Sequence, residues 1–171
     1  SLLAMCSELT RIDRARYESG FPAITLPDQR WARCDIKATS LLANVLAKQQ
    51  ASEQGAVEAI LTRDGKMVEG AASAAMCVIG GVLCAPPETQ ALLPSITREI
   101  ALELASTLGI NVSIRDITMV EFAAADEILL LSSTKEVLPV TKLDGHLVGT
   151  GKPGSVWRKL FDAYQELKVA T

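Results

Sequence analysis

Lys37 is the residue whose type and position suggest chemistry most clearly. It ends the polar segment RWARCDIK, residues 30–37, and precedes an apolar segment with helical spacing. A lysine amine that the fold holds in place forms a Schiff base with a carbonyl compound when its surroundings lower its pKa. Most lysines are solvated surface charges, so position alone does not establish a catalytic role. The case depends on three further segments.

The first of these segments is EGAAS, residues 69–73, which begins with a carboxylate at the end of a strand-like run. The small residues after Glu69 leave room for a flat ring to approach, and Ser73 adds a hydroxyl beside it. A carboxylate in this position can keep a pyridine nitrogen protonated, which makes the ring a better electron sink. The competing interpretation is a solvated glutamate at a strand end.

The second segment is PSITR, residues 94–98, which predicts the start of an amphipathic helix. Unpaired backbone N–H groups at a helix start, such as that of Ile96, form a seat for a phosphate group together with the Thr97 hydroxyl. Ordinary helix capping is the competing interpretation.

The third segment is SST, residues 132–134, which follows a fully apolar strand-like run. Consecutive hydroxyls favour contact with a polar ligand, although a plain turn remains an alternative. Ser132 and Ser133 are therefore candidate contacts to a polar ligand. Arg30 would complete the seat as a guanidinium clamp, and its alternative role is a surface ion pair.

Length and composition limit the class of protein. A chain of 171 residues, 49% hydrophobic, is long enough for one domain with a substantial core. The net charge of −3 argues against a nucleic-acid partner, which would need clustered basic residues. No apolar run reaches the roughly 18 residues that a membrane helix needs.

The cysteines give no sign of a metal site. Cys6, Cys34, Cys77 and Cys84 form no C-x-x-C pair, so a zinc centre or a dithiol redox site has little support. Three of the four lie in apolar, strand-like surroundings, which is typical of small buried thiols in a reducing compartment and predicts a cytoplasmic protein. The one histidine, His146, is predicted to lie in a surface turn.

Hairpins dominate the predicted elements. The pairs at 64–65, 80–81 and 144–145 are strong two-residue turns between strand-like runs. A further strand is predicted over residues 1–9, and three longer helices over residues 40–55 (with Ser40 as N-cap), 94–109 and 153–168. Strictly alternating βαβ units are absent. The pattern predicts an α+β fold, a mixed-sheet pseudo-barrel with helices packed outside.

At this point the chain resembles a known family. Its segments resemble, in order, the D-amino-acid transaminase branch of the class IV (fold type IV) pyridoxal-phosphate enzymes. The segments that carry this resemblance are residues 30–37, 41–49, 69–70, 93–98, 124–127, 132–140 and 151–154.

The resemblance implies a role for each candidate residue. Lys37 would be the Schiff-base lysine and proton carrier, buried and neutral beside the cofactor. Glu69 would hold the pyridine nitrogen, and Glu58 would support Arg30. Arg33 and Asp35 would belong to the scaffold. The phosphate contacts would be Arg30, Ile96, Thr97 and Ser133, with Ser73 and Ser132 near the ring.

Two positions depart from the family pattern. Ser73 is followed by Ala74, where the family usually has an asparagine whose amide bonds to the loop under the cofactor. Ser95 replaces the usual glycine, so its side chain must turn away if the backbone is to reach phosphate.

The resemblance also predicts the domain organisation. We expect residues 1–171 to form the single large cofactor-binding domain, with the family's small N-terminal domain absent from the chain. The expected enzyme is a homodimer that binds pyridoxal 5′-phosphate. It is expected to move an amino group from a D-amino acid such as D-alanine to a 2-oxo acid. Neither a membrane nor a nucleic acid is expected as a partner. The alternatives are a branched-chain L-amino-acid transaminase, an aminodeoxychorismate lyase, and a catalytically impaired fragment that keeps only the fold and the dimer surface.

Overall fold

The computed structural model describes residues 3–6, 8 and 12–170. These residues form one nine-stranded mixed sheet with helices against it. The helices are α1 Arg14–Ser19, α2 Leu42–Glu53, α3 Ile96–Thr107, α4 Met119–Ala123 and α5 Ser155–Ala170. The strands are β1 Phe21–Pro27, β2 Glu58–Arg63, β3 Lys66–Gly70, β4 Ala74–Ile79, β5 Val82–Ala85, β6 Val112–Ile114, β7 Glu127–Ser132, β8 Glu136–Leu143 and β9 His146–Leu147.

The strand order explains why the sheet curls. Neighbouring strands follow the order β3-β2-β1-β8-β7-β4-β5-β6, and β9 pairs with β8. β3 and β4 are five places apart in this order, yet they contact each other. A tight turn joins them, in which Gly70 N–H donates to Ser73 O at 2.7 Å. The predicted α+β pseudo-barrel is confirmed.

The hairpin turns form where the sequence predicts them. Asp64 and Asp144 have φ values of 52° and 48°, and the glycine after each is also in the left-handed region. Gly80 and Gly81 occupy the same region at φ 57° and 79°. This is the conformation that two-residue hairpin loops require.

In addition to the hairpins, the sheet contains two parallel crossover connections. β1 pairs in parallel with β2 through α2, and β5 pairs in parallel with β6 through α3. Each crossover places a long helix on the sheet. The start of α3 and the inner side of α2 then face the same cavity.

The core lies between the sheet and the helices α3, α4 and α5. Trp157, Phe122, Met76 and Leu83 are fully buried there. Trp157 also donates its ring N–H to Val137 O at 3.0 Å, which fixes α5 on β8.

Two predictions about local structure are wrong. Residues 3–6 and 8 have no strand conformation, and the rest of the predicted strand at 1–9 lies outside the described residues. The N-cap of α2 is Leu41, without a side-chain bond, and not Ser40.

The large apolar side chains of α2 are exposed. The buried positions of this helix are the small residues Ala47 and Ala51, which pack against β2.

No helix in the described part of the chain combines the length and the apolar character needed to cross a membrane.

Candidate active site

One cavity of about 730 Å³ collects all the residues proposed for the site. The loop after β1, the end of β3, the turn before β4, the start of α3 and the end of β7 each contribute to its wall. Its lining includes Arg30, Lys37, Glu69, Ser73, Ile96, Thr97, Ser132 and Ser133. Segments more than 100 residues apart therefore meet in one place.

Lys37 lies in the loop that connects β1 to α2. It lines the cavity but is exposed, so the expectation of a buried Lys37 is wrong for this structure. The reason is that residues 28–41 have neither strand nor helix conformation, and several of them line the cavity. Within the described residues, Lys37 has no hydrogen-bond or ion-pair partner.

Arg30 is bound by protein acceptors and not left open as a phosphate clamp. Its Nε and Nη2 donate to the two oxygens of Asp28 at 2.9 and 3.0 Å, and Nη2 also donates to Ala91 O at 3.0 Å. Nη1 donates to the carboxylate of Glu69. The geometry therefore favours a role for Arg30 in holding Glu69 and corrects the clamp interpretation.

The Asp28–Arg30–Glu69 group is almost fully buried. Burial opposes ionisation of Asp28, but the Arg30 guanidinium, together with Arg63, holds the pKa of Asp28 below its ordinary value. Burial raises the pKa of Glu69, against the lowering effects of Arg30 and the Leu93 N–H. Arg30 thus favours the ionised form of both carboxylates, and Arg63 adds to this effect at Asp28.

Glu69 keeps one oxygen with spare accepting capacity. Its Oε1 accepts from Arg30, while the described partner of Oε2 is Leu93 N at 3.3 Å. An ionised carboxylate has about four acceptor positions in all. Glu69 can therefore accept a further N–H from a ring bound in the cavity.

Glu58 does not support Arg30, so that expectation is wrong. Glu58 is fully buried, and its carboxylate accepts from Ser73 Oγ at 3.1 Å and Lys135 Nζ at 3.0 Å. It lies on β2, where its side chain turns toward the β3–β4 turn. The partner that supports Arg30 is Asp28.

The start of α3 fits an anion. Ser95 is the N-cap, and its Oγ accepts from Arg98 N at 3.3 Å, so its side chain turns to its own helix. The N–H groups of Ile96 and Thr97 have no acceptor within the described residues. They lie at the positive end of the helix, beside the buried Thr97 hydroxyl.

Comparison with known proteins decides the family. Residues 2–143 match the family described as amino-transferase class IV. The chain belongs to this family. The D-alanine aminotransferase of Bacillus licheniformis is 42% identical over 148 residues, which are 86% of this chain and 52% of that protein. The D-alanine aminotransferase of Listeria innocua is 39% identical over 165 residues, which are 96% of this chain and 57% of that protein.

Solved structures agree on the fold. The branched-chain amino acid aminotransferase of Thermobaculum terrenum, in its PLP form, superposes with a TM-score of 0.81 at 29% identity, covering 92% of this chain and 53% of that one. The chain spans about half the length of the class IV aminotransferases that it matches.

The turn that departs from the class IV pattern is held by other bonds. Asn44 on α2 donates to Ala71 O at 2.8 Å, and Ala71 N donates to Ala59 O at 2.8 Å. Gly70 has no room for a side chain, since a Cβ there would lie 2.3 Å from Ser73 Oγ. The side-chain amide of Asn44 therefore bonds to the 70–73 turn, where the class IV pattern usually has an asparagine of its own.

Sequence reasoning missed several residues of this class IV site. Asp28 was interpreted only as a strand terminator, although its place two residues before Arg30 was a usable signal. Lys48 and Asn44 from α2 and Tyr164 from α5 also line the cavity. No local pattern marks these three, because their helices reach the cavity only through tertiary packing.

Proposed function

We propose that this chain binds pyridoxal 5′-phosphate and forms the cofactor-binding domain of an enzyme that transfers an amino group from a D-amino acid such as D-alanine to a 2-oxo acid. The observation that carries the proposal is the convergence of a lysine, a buried carboxylate and a free helix start on one cavity. The D-alanine aminotransferases among its relatives support the D-amino-acid substrate.

The cavity residues fit the cofactor. The N–H groups of Ile96 and Thr97 and the hydroxyls of Ser132 and Ser133 are proposed to bind its phosphate. Glu69 Oε2 is proposed to accept the N–H of its pyridine ring. When bound, the cofactor supplies an electron sink for the electron pair left at the substrate α-carbon.

Lys37 is the proposed catalytic residue. Its amine would hold the cofactor at the aldehyde carbon and would move a proton between the substrate α-carbon and C4′ of the cofactor. Its exposed position at the rim leaves it free to reach the cavity, where a bound cofactor would cover it. Arg30 acts on this chemistry only through Glu69, by fixing the carboxylate.

A branched-chain L-amino-acid transaminase is the second candidate. The solved structures support it, since the neighbour from Thermobaculum terrenum carries that name.

A homodimer and a cytoplasmic location belong to the same proposal. Leu42, Val45 and Leu46 on α2 are each more than half exposed beside the cavity, an apolar surface that suits a subunit interface. The four free cysteines suit a reducing compartment.

Covalent labelling tests the proposal. The purified chain should develop a visible absorption band with pyridoxal 5′-phosphate, and borohydride should fix the cofactor on Lys37, as located by peptide mass mapping. Lys37→Ala should lose both signals, and the matched exposed variant Lys159→Ala should keep them. A label on another lysine, or a band that survives in Lys37→Ala, would contradict the assignment.

Substrate assays separate the candidates. Pyruvate formed from D-alanine and 2-oxoglutarate supports the main proposal, whereas turnover of L-leucine alone supports the branched-chain alternative. Cofactor binding without any amino transfer would show that the chain is a catalytically impaired domain.

A further inference from the structure

A second buried polar cluster lies behind the cavity wall. Its centre is Glu58, whose side chain is fully buried on β2. Glu58 Oε2 accepts from both Ser73 Oγ and Lys135 Nζ, and Oε1 lies 3.2 Å from Ala59 N. A buried carboxylate is costly unless a cation and donors surround it. Lys135 supplies that cation.

Lys135 comes from a distant part of the chain. It lies in the turn between β7 and β8, where its own N–H donates to Ser132 Oγ at 3.2 Å. Its ammonium crosses to β2 and donates to Val57 O at 3.1 Å and Glu58 Oε2 at 3.0 Å. Burial lowers the pKa of Lys135, Glu58 opposes that change, and the nearby Lys48 ammonium reinforces it.

The hydrogen bond to Glu58 determines how the Ser73 hydroxyl can contact a ligand in the cavity. The single hydroxyl proton of Ser73 is used for Glu58, so this hydroxyl can act toward the cavity only as an acceptor. The backbone of the turn is fixed at the same point, because Gly70 N donates to Ser73 O and a Cβ at Gly70 would overlap Ser73 Oγ. The Glu58 carboxylate therefore holds both the serine and its turn.

We propose that Lys135 is a positioning residue: its ammonium holds the Glu58 carboxylate in place and thereby fixes Ser73 and the 70–73 turn in the cavity wall. Its effect on the cofactor rests on the proposed function, whereas its effect on the turn does not. Lys135 does not line the cavity, so it acts only through Glu58 and Ser73.

Two measurements on the same variants test the inference. Lys135→Met should speed hydrogen exchange at the Gly70 amide and raise the dissociation constant for pyridoxal 5′-phosphate by about tenfold each, the loss expected for one hydrogen bond to a charged group. Lys135→Arg keeps the charge and should stay within about threefold of wild type for both. Lys66→Met removes a lysine from an exposed pair with Asp116 and is the matched control.

Coupling to Ser73 distinguishes positioning from general stabilisation. In a Ser73→Ala background, Lys135→Met should weaken cofactor binding by less than about twofold, because the residue through which it acts is gone. Equal effects of Lys135→Met with and without Ser73 would overturn the inference. If Lys135→Met does not fold, Glu58→Gln makes the same comparison with nearly unchanged shape.

The two proposals fail separately. Wild-type protein that does not bind pyridoxal 5′-phosphate would refute the cofactor assignment, and the Gly70 exchange rate would still decide the role of Lys135. An unchanged exchange rate in Lys135→Met would refute the positioning role whatever the cofactor result.

Discussion

The cavity wall and the far edge of the sheet are stabilised by different interactions. The cavity wall is formed by residues within 30–37, 69–74 and 131–133, and ion pairs between segments distant in sequence are buried in it and directly behind it. The far edge consists of β4, β5, β6 and α4. Its interior is apolar, with Cys77 opposite Cys84 and burial raising the pKa of the Cys77 thiol to about 12.

This difference shows which interactions serve stability and which serve a site. Buried ion pairs are weak evidence for stability, because desolvation offsets much of their attraction. Apolar packing and local caps stabilise without such a cost. The charges at the cavity wall are therefore best explained by the ligand they are arranged to meet.

The largest effect should follow from breaking the cavity-wall ion pairs. Arg30→Met leaves Glu69 buried without its cation and leaves Asp28 with Arg63 alone, which should destabilise the fold by about 3–5 kcal/mol. Urea unfolding measures this loss. Arg33→Met, which removes an exposed pair with Asp35, should be indistinguishable from wild type. Equal stabilities of the two variants would contradict the expected difference between the buried ion pairs of Arg30 and the exposed pair of Arg33.

Removing a buried side chain from the far edge should lower the stability of the fold and leave cofactor binding in the cavity unchanged. Leu83→Ala empties a fully buried position on β5 and should cost about 2–5 kcal/mol. The dissociation constant for pyridoxal 5′-phosphate, measured on the folded protein, should stay at the wild-type value. Leu147→Ala at an exposed position is the control. Weaker cofactor binding in Leu83→Ala would show that the two regions are coupled.

The smallest effect concerns the cap of α4 at the far edge. The Thr118 hydroxyl and N–H, with Arg115, lower the pKa of Glu121 from 4.5 to about 2. A lowered folded-state pKa means that ionised Glu121 stabilises the fold above pH 4.5, and that this contribution disappears as the pH falls toward 2. The difference in melting temperature between wild type and Glu121→Gln should therefore be present at pH 6 and shrink toward pH 2.

The matched control for that pH series is Glu103→Gln on the exposed side of α3. It should follow wild type at both pH values. A difference for Glu121→Gln that stays constant with pH would contradict the charge-based explanation of the cap.

The sequence predicted best where the signal is local. The capping box of Thr118 and Glu121 is a local signal of this kind, since both partners lie within one helical turn. The Asp64-Gly65 and Asp144-Gly145 hairpins form as predicted, because their backbone preferences belong to the turn residues themselves. The candidate site residues were placed on one cavity from their motifs, while their individual roles stay predictions.

The sequence did not predict burial or charge pairing where these depend on a partner residue in another segment of the chain. The apolar spacing of α2 gave its helix correctly but not its buried face, because the neighbour β2 accepts only Ala47 and Ala51. Arg30 was expected at phosphate and Glu58 at Arg30, because a sequence does not show which charges meet.

The sequence by itself determined the hairpins, the long helices, the α+β class and the family resemblance, since these depend on periodicity and on motifs a few residues long. Only the tertiary structure decided the charge partners, namely Arg30 with Asp28 and Glu69, and Lys135 with Glu58. The physical reason is that a buried charge must find its counter-charge in space, and the fold brings together residues 39 and 77 positions apart.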